Sequence, residues 1–256
     1  MSKRMENLIR ISQLEELARR DNWLNNIHSL IKLIITIVYI FLISSIGKYE
    51  LTKVLLFMVY PVFILTAADI PIKTFVGKMI IPICLGASLG MLNPFLDKTS
   101  VNLFGLTIIS AGWLSFVVLW LKSTVCIAAA FILVSTSPIE QIVGALESLK
   151  FPKFMSIQIL LMFRYITILI SEFERALTAY SLRTQGRKAL EWHVWGSFMG
   201  QIFIRTAEKS VRLYESMKLR GFNLQTAFTQ KQKVKSIDVL YMFIWVGIFT
   251  GIHIWI

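Results

Sequence analysis

The chain is poor in charge, in histidine and in cysteine. Of its 256 residues only 16% are Asp, Glu, Lys or Arg, against 55% apolar, and the mean hydropathy is +0.65. Soluble domains carry about 25% charge, so there is too little polar surface to cover a soluble globule, and lipid must replace water around much of the chain. The two cysteines, Cys84 and Cys126, lie far apart in apolar runs. They carry no CxxC or disulfide signature and are expected to pack in helix interfaces. His28, His193 and His253 stand alone, and no HExxH, no GxxxxGK[ST] and no aspartate-rich diphosphate motif is present. No nucleophile elbow is expected either. These absences leave no metal-ligand set, no cofactor site and no catalytic residues to expect. The stretch Met1 to Arg20 is charged throughout, without a short apolar core before a small-residue cleavage site, so no cleavable signal is expected.

Acidic residues are scarce as well: 15 against 27 Lys and Arg, a net charge of +12. No interleaving of aromatic and basic residues accompanies that excess, which argues against nucleic acid as a partner. In so apolar a chain the excess instead fits cations held on the cytoplasmic face of a bilayer. Lys3, Arg4, Arg10, Arg19 and Arg20 crowd the N-terminal arm, and about fifteen of the 27 basic residues fall between Lys150 and Lys235.

Glu6 to Arg20 has Leu8, Ile11, Leu14 and Ala18 at helical spacing, an amphipathic helix suited to a membrane surface or to another part of the protein. Leu30–Ile46, Leu51–Ala68 and Phe75–Leu92 each offer about the 17–20 mostly apolar residues of a span, and Ile237–Ile256 offers another. Leu103–Val134 is too long for one upright span. It is either one tilted or broken helix, or two short ones meeting at Lys122. If both basic regions are cytoplasmic, an even number of crossings separates them, so this stretch counts once. Lys32 then lies near the inner leaflet, where its stem can snorkel, and the C-terminus is extracytoplasmic. The expected fold is an all-α membrane protein of about five transmembrane helices. Its segments are an amphipathic cytoplasmic arm (1–28), four spans (29–135), cytoplasmic helices (136–236) and a last span (237–256).

The segment 136–236 reads as three helices. Ser137 and Pro138 form a plausible N-cap and first position of one that runs to about Lys150. A second runs from Lys153 to about Arg183. A third runs from about Leu190 to Arg220 and stops at Gly221, a natural residue to end a helix. The third carries an apolar stripe of Phe198, Ile202, Val211, Tyr214 and Met217, with Glu208 and Arg212 spaced for an ion pair. It is too charged to span lipid. The second is nearly a span, interrupted by Arg164, and is placed at the membrane boundary. Arg164 either snorkels there or pairs with a glutamate such as Glu172. Two long helices therefore end alike, in Leu182-Arg183-Thr184 and Leu219-Arg220-Gly221. One such end is ordinary C-terminal charge, favourable with the helix dipole. Two in one segment point to paired docking, for which the guanidinium is suited because it stays charged and forks onto carboxylates.

These residues resemble the transmembrane T component of energy-coupling factor (ECF) transporters, the EcfT/CbiQ family. The likeness is closest over Phe151-Pro152, Phe163-Arg164-Tyr165-Ile166, Glu172, Arg175 and Ala176 to Arg183, and again from Gly200 through Arg205-Thr206 to Glu215 to Phe222. Leu17 to Asp21, before a span carrying Lys32, is similar more weakly. The chain departs from the family's Ala-Arg-Gly at both helix ends, with Leu182, Thr184 and Leu219, while both arginines remain. The resemblance implies a non-enzymatic coupling subunit of an ABC importer for a vitamin or a transition-metal ion. Two cytoplasmic ATPases would dock on crossed helices at Arg183 and Arg220, flanked by Leu182, Thr184, Leu219 and Gly221. Arg164, Glu172 and Arg205 would serve structure or coupling, and a small membrane S component would hold the substrate. A membrane-embedded enzyme acting on lipid or isoprenoid, or a scaffold without ATPase partners, are the alternatives.

Overall fold

The computed structural model describes residues 23–25, 27–69, 71–96, 100–102, 108–184, 192–223 and 235–255. The expected amphipathic helix at Glu6 to Arg20 lies outside them. The elements are α1 (Ser29–Ser45), α2 (Leu51–Phe57), α3 (Val59–Ala67), α4 (Ile72–Gly90), α5 (Asn93–Leu96), β1 (Ser100–Asn102), β2 (Ile108–Ser110), α6 (Ala111–Thr136), α7 (Ile139–Ser148), α8 (Lys153–Arg183), a 3₁₀ turn (Trp192–Val194), α9 (Trp195–Leu219) and α10 (Ser236–Trp255). They form two compact units, one of Met1–Ala145 with Lys231–Ile256, the other of Leu146–Gln230. Among the described residues the fold is all-helical apart from the short antiparallel pair β1–β2, in which Val101 faces Ile109.

Among the described residues, three helices are long and apolar enough to cross a membrane: Gly112–Thr136, Lys153–Arg183 and Ser236–Ile254. Ser29–Ser45, Leu51–Ala67 and Phe75–Ser88 are shorter apolar helices. The stretch that had two readings, Leu103–Val134, contributes one unbroken helix, α6, which runs straight through Lys122. α8 has the length and hydropathy of a span in spite of Arg164, where the sequence pointed to a helix at the membrane boundary.

In the first unit the breaks and contacts follow from particular residues. The second apolar stretch is cut at Met58, between α2 and α3. Pro61 has no N–H to give the carbonyl of Phe57, and the buried Tyr39 hydroxyl donates to that carbonyl instead, at 2.7 Å. Tyr39 also starts an aromatic core: its ring lies 4.7 Å from Tyr60 and 5.0 Å from Phe249, and Tyr60 meets Trp245 edge-on at 4.7 Å. This cluster joins α1, α3 and α10 in the contact geometries that aromatic quadrupoles favour.

α4 and α6 meet through small residues. A Cβ added at Gly90 would come within 2.9 Å of the Phe116 ring, and one at Gly86 within 3.1 Å of Ser123 Cβ. Gly86 and Gly90 are spaced as GxxxG, which lets two helices approach closely where lipid supplies no hydrophobic drive to associate. The Trp120 indole N–H closes the same interface by donating to the Ile83 carbonyl at 3.2 Å.

α7 carries the chain from the first unit to the second. Its first hydrogen bonds go to the Pro138 carbonyl, from Gln141 and Ile142. Ser137, the expected cap, instead buries its hydroxyl without a hydrogen-bond partner among the described residues. The helix ends in a Schellman motif, with Phe151 N–H on the Leu146 carbonyl at 3.2 Å and Lys150 N–H on Glu147 at 3.0 Å. Lys150 takes the left-handed position, φ 66°, where glycine would be unstrained.

Candidate functional site

The second unit is built around α8 and α9. α8 runs 31 residues, from Lys153 to Arg183, close to the bounds expected, with Pro152 at its N-cap fixing the entry. At its far end Thr184 closes the helix twice on the Tyr180 carbonyl, through its N–H at 3.1 Å and its hydroxyl at 3.0 Å. α9 starts later than expected, at Trp195, after the 3₁₀ turn. It ends in a second Schellman motif: Gly221 N–H donates to Lys218 and Phe222 N–H to Met217, both at 3.0 Å, with Gly221 at φ 72°. The motif requires a residue that tolerates the left-handed region, which is the physical reason for glycine directly after Arg220.

Both ends are presented to the surroundings. Arg183 and Arg220 are exposed, and the leucines before them are 78% (Leu182) and 90% (Leu219) exposed. A leucine left this open beside an exposed guanidinium is a useful arrangement for a contact surface. Thr184 is half-buried because its side chain is folded back as the cap, and Gly221 is exposed.

α8 and α9 touch well before their ends. Phe173 meets Phe198 edge-on at 5.6 Å, and Arg205 lies 3.7 Å from the Glu172 carboxylate. Glu172 is therefore held across the helices by Arg205, and the alternative in which it pairs with Arg164 is not what forms. Arg164 is exposed. Arg183 stands eleven residues beyond Glu172 and Arg220 fifteen beyond Arg205, about 16 Å and 22 Å along their helices. Each tip is thus displaced from the point where the helices are fastened. The predicted Glu208–Arg212 pair is present at 3.9 Å. The stripe of α9 is only partly covered: Phe198 is buried, Ile202 and Met217 half-buried, and Val211 and Tyr214 exposed.

The polar groups of the first unit were largely missed by sequence reasoning. Lys32 does not snorkel. It is only 7% exposed and its ammonium donates to the Thr136 carbonyl at 2.9 Å and to the Asn25 carbonyl at 3.3 Å. Lys122 in turn donates to the Ile46 carbonyl. Each lysine satisfies a carbonyl at the C-terminal end of the other's helix, α6 and α1 respectively, where the backbone ladder leaves acceptors unpaired. Ser29 adds a hydrogen bond to Gln141 Oε1 at 2.8 Å. Asp238 is buried at the start of α10, accepts from the Lys235 N–H at 3.0 Å, and is the acid whose field reaches Lys32. That backbone bond is one half of a capping box. The signal available in sequence was the depth of Lys32 and Lys122 in apolar runs, where an ionisable residue needs a partner.

Gly86-Ala87-Ser88-Leu89-Gly90 does match the letters of a nucleophile elbow, contrary to expectation, but it lies inside α4 rather than in a strand-to-helix turn. There the Ser88 hydroxyl donates to the Leu85 carbonyl at 2.8 Å, an ordinary helical back-bond. Among the described residues no three His, Cys, Asp or Glu side chains converge as a metal site would require.

An apolar helical bundle in which Lys32 and Lys122 are bonded internally, joined in sequence to a two-helix unit with exposed arginine tips, defines a polytopic membrane protein. The chain belongs to the cobalt transport protein family, CbiQ, whose sequence model matches residues 20–231. It is also similar to the nickel permease LarQ of Lactiplantibacillus plantarum, at 23% identity over 128 residues, 48% of this chain and 47% of that protein. The chain thus spans about half the length of that relative. Family and relative make this chain a membrane transport component.

Proposed function

We propose that this protein is the T component of an ECF-type importer, joining two cytoplasmic ABC ATPases to a small membrane S component that captures the substrate. The observation that carries the reading is the pair of equivalent ends, Leu182-Arg183-Thr184 and Leu219-Arg220-Gly221, each an exposed leucine beside an exposed arginine on a capped helix. Two such ends call for two acidic, apolar-rimmed grooves, which two ATPase subunits would provide. The fastening of α8 to α9 through Glu172, Arg205, Phe173 and Phe198 supports a crossed pair that moves as a unit. ATP hydrolysis then belongs to the partners. Closure of the ATPases would displace the tips, and the stiff helices would carry that displacement to the membrane. The tips face the cytoplasm in this reading, with the C-terminus on the other side.

The family description and the nickel permease favour a divalent transition-metal ion over a vitamin as the substrate class. The ion would be bound by the S component.

The test is the double variant Arg183→Ala/Arg220→Ala, expressed with the ATPases and the S component. Truncating one partner of a buried interfacial charge pair costs about 2–5 kcal/mol. The ATPases should therefore fall away from the complex in mild detergent and uptake should cease, while the chain still inserts in the membrane. Uptake at the original rate would overturn the docking role.

A further inference from the structure

The first unit contains a second polar feature, independent of the docking tips. At the end where α1 stops, a cleft of about 250 Å³ is lined by Lys48, Asn93, Ser115, Val118, Leu119 and Lys122. It is slightly smaller than the pockets that engulf drug-sized ligands, about 300–1,000 Å³, and suits a headgroup rather than a whole molecule.

Its lining divides by chemistry. Lys48, Asn93 and Lys122 supply cationic and amide donors, and Val118 and Leu119 form an apolar wall. Lys122 is half-buried midway along an apolar helix and commits one of its three ammonium donors to Ile46, so others can serve a ligand. Lys48 stands two residues beyond Ile46 and is exposed. Among the described residues the acid nearby is Glu50, and it is already engaged, 3.0 Å from the Lys53 ammonium, which holds its carboxyl below the usual carboxylate range. His253 of α10 also acts on Glu50. Among the described residues, Lys48, Lys53 and Lys122 against Glu50 leave a local excess of positive charge. On α6 the exposed Trp113, packed edge-on against Phe116, is the kind of indole found at the level of lipid headgroups.

We propose that this cleft binds the phosphate of an anionic phospholipid, with Lys48 and Lys122 on the phosphate, Asn93 on the headgroup and an acyl chain along Val118 and Leu119. Free phosphate shares the anionic chemistry but has no use for the apolar wall, whereas a phospholipid uses both halves of the lining.

The experiment is native mass spectrometry of the full-length chain in detergent, titrated with phosphatidylglycerol, with phosphatidylcholine, and with phosphatidylglycerol in the presence of millimolar inorganic phosphate. Phosphatidylglycerol should be retained in preference to phosphatidylcholine and should resist phosphate. Each basic residue near an anionic headgroup contributes a factor of about fivefold, so Lys48→Gln should weaken phosphatidylglycerol retention about fivefold and Lys48→Glu about thirtyfold, with phosphatidylcholine unchanged. Lys48 is exposed, so an unchanged melting temperature checks that the fold is intact. Equal retention of the two lipids, or full retention by Lys48→Glu, would overturn the site. Displacement of the lipid by millimolar phosphate would overturn the lipid assignment.

Discussion

Lys32 and Arg205 are both cations on long helices of one chain, and the two units treat them in opposite ways. Lys32 is sealed in the first unit, its ammonium on two backbone carbonyls and within the field of a buried aspartate. Arg205 is held by one carboxylate at 3.7 Å, and its side chain is 60% exposed. The first arrangement is expensive to break, because every group left behind is buried. The second can be broken and remade at little cost. On the proposed function, that contrast suits a membrane bundle that keeps its shape and a helix pair that moves with its partners.

The contrast is tested most severely at Lys32. Lys32→Met keeps the stem and removes the ammonium, leaving the Thr136 carbonyl and Asp238 in a buried setting without it. A loss of about 3 kcal/mol is expected, seen as a large fall in the melting temperature of the purified chain. Adding Asp238→Asn should recover part of that loss, since the remaining group is then neutral. A single variant that melts like the original would mean that the buried lysine is not what secures α1 to α6.

A smaller effect is expected at the α4–α6 crossing. Gly90→Leu would drive a side chain into the Phe116 ring, which a Cβ alone would already approach to 2.9 Å. Overpacking of this kind costs about 1–3 kcal/mol. Gly77, also on α4, has open space where a Cβ would go, so Gly77→Ala supplies the control. If both variants melt alike, close approach at Gly90 does not matter to the bundle.

How much of this was legible beforehand differs between the units for a physical reason. α8 was legible from near Lys153 to about Arg183 because Pro152 marks its start, and the end of α9 because Gly221 is one of few residues that suit a left-handed position. Such signals are local, and sequence carries them directly. The family likeness was legible for the same reason, since its motifs lie on those two helices. Lys32 and Lys122 were read from their places in apolar runs, which cannot name a partner, and Tyr39 carried no signal in the sequence. Their partners are backbone carbonyls of Thr136, Ile46 and Phe57, and a backbone acceptor leaves no mark in side-chain identity. Glu172 failed similarly: Arg164 is nearer in sequence, but Arg205 is brought close by packing of Phe173 on Phe198. The start of α6 was misplaced because Leu103–Ser110 is apolar enough to continue a helix, yet Ile108–Ser110 pairs as a strand with Ser100–Asn102.

The smallest effect should be found where the comparison began, at the ion pair between α8 and α9. Exposed pairs typically contribute about 0.2–1 kcal/mol, and Arg205 and Glu172 are 60% and 27% exposed at the side chain, with a separation near the long end of an ion pair. A double-mutant cycle of Glu172→Gln and Arg205→Gln, read by the melting temperature of the purified chain, should therefore give a coupling of about 0.5 kcal/mol that fades as salt is raised. If α8 and α9 act as a crossed pair between ATPases and membrane, the same cycle read by uptake should show a larger coupling than the one read by stability, because motion loads the joint and melting does not. Equal couplings in both readouts would reduce Glu172–Arg205 to a surface pair, and transmission would then rest on Phe173 and Phe198.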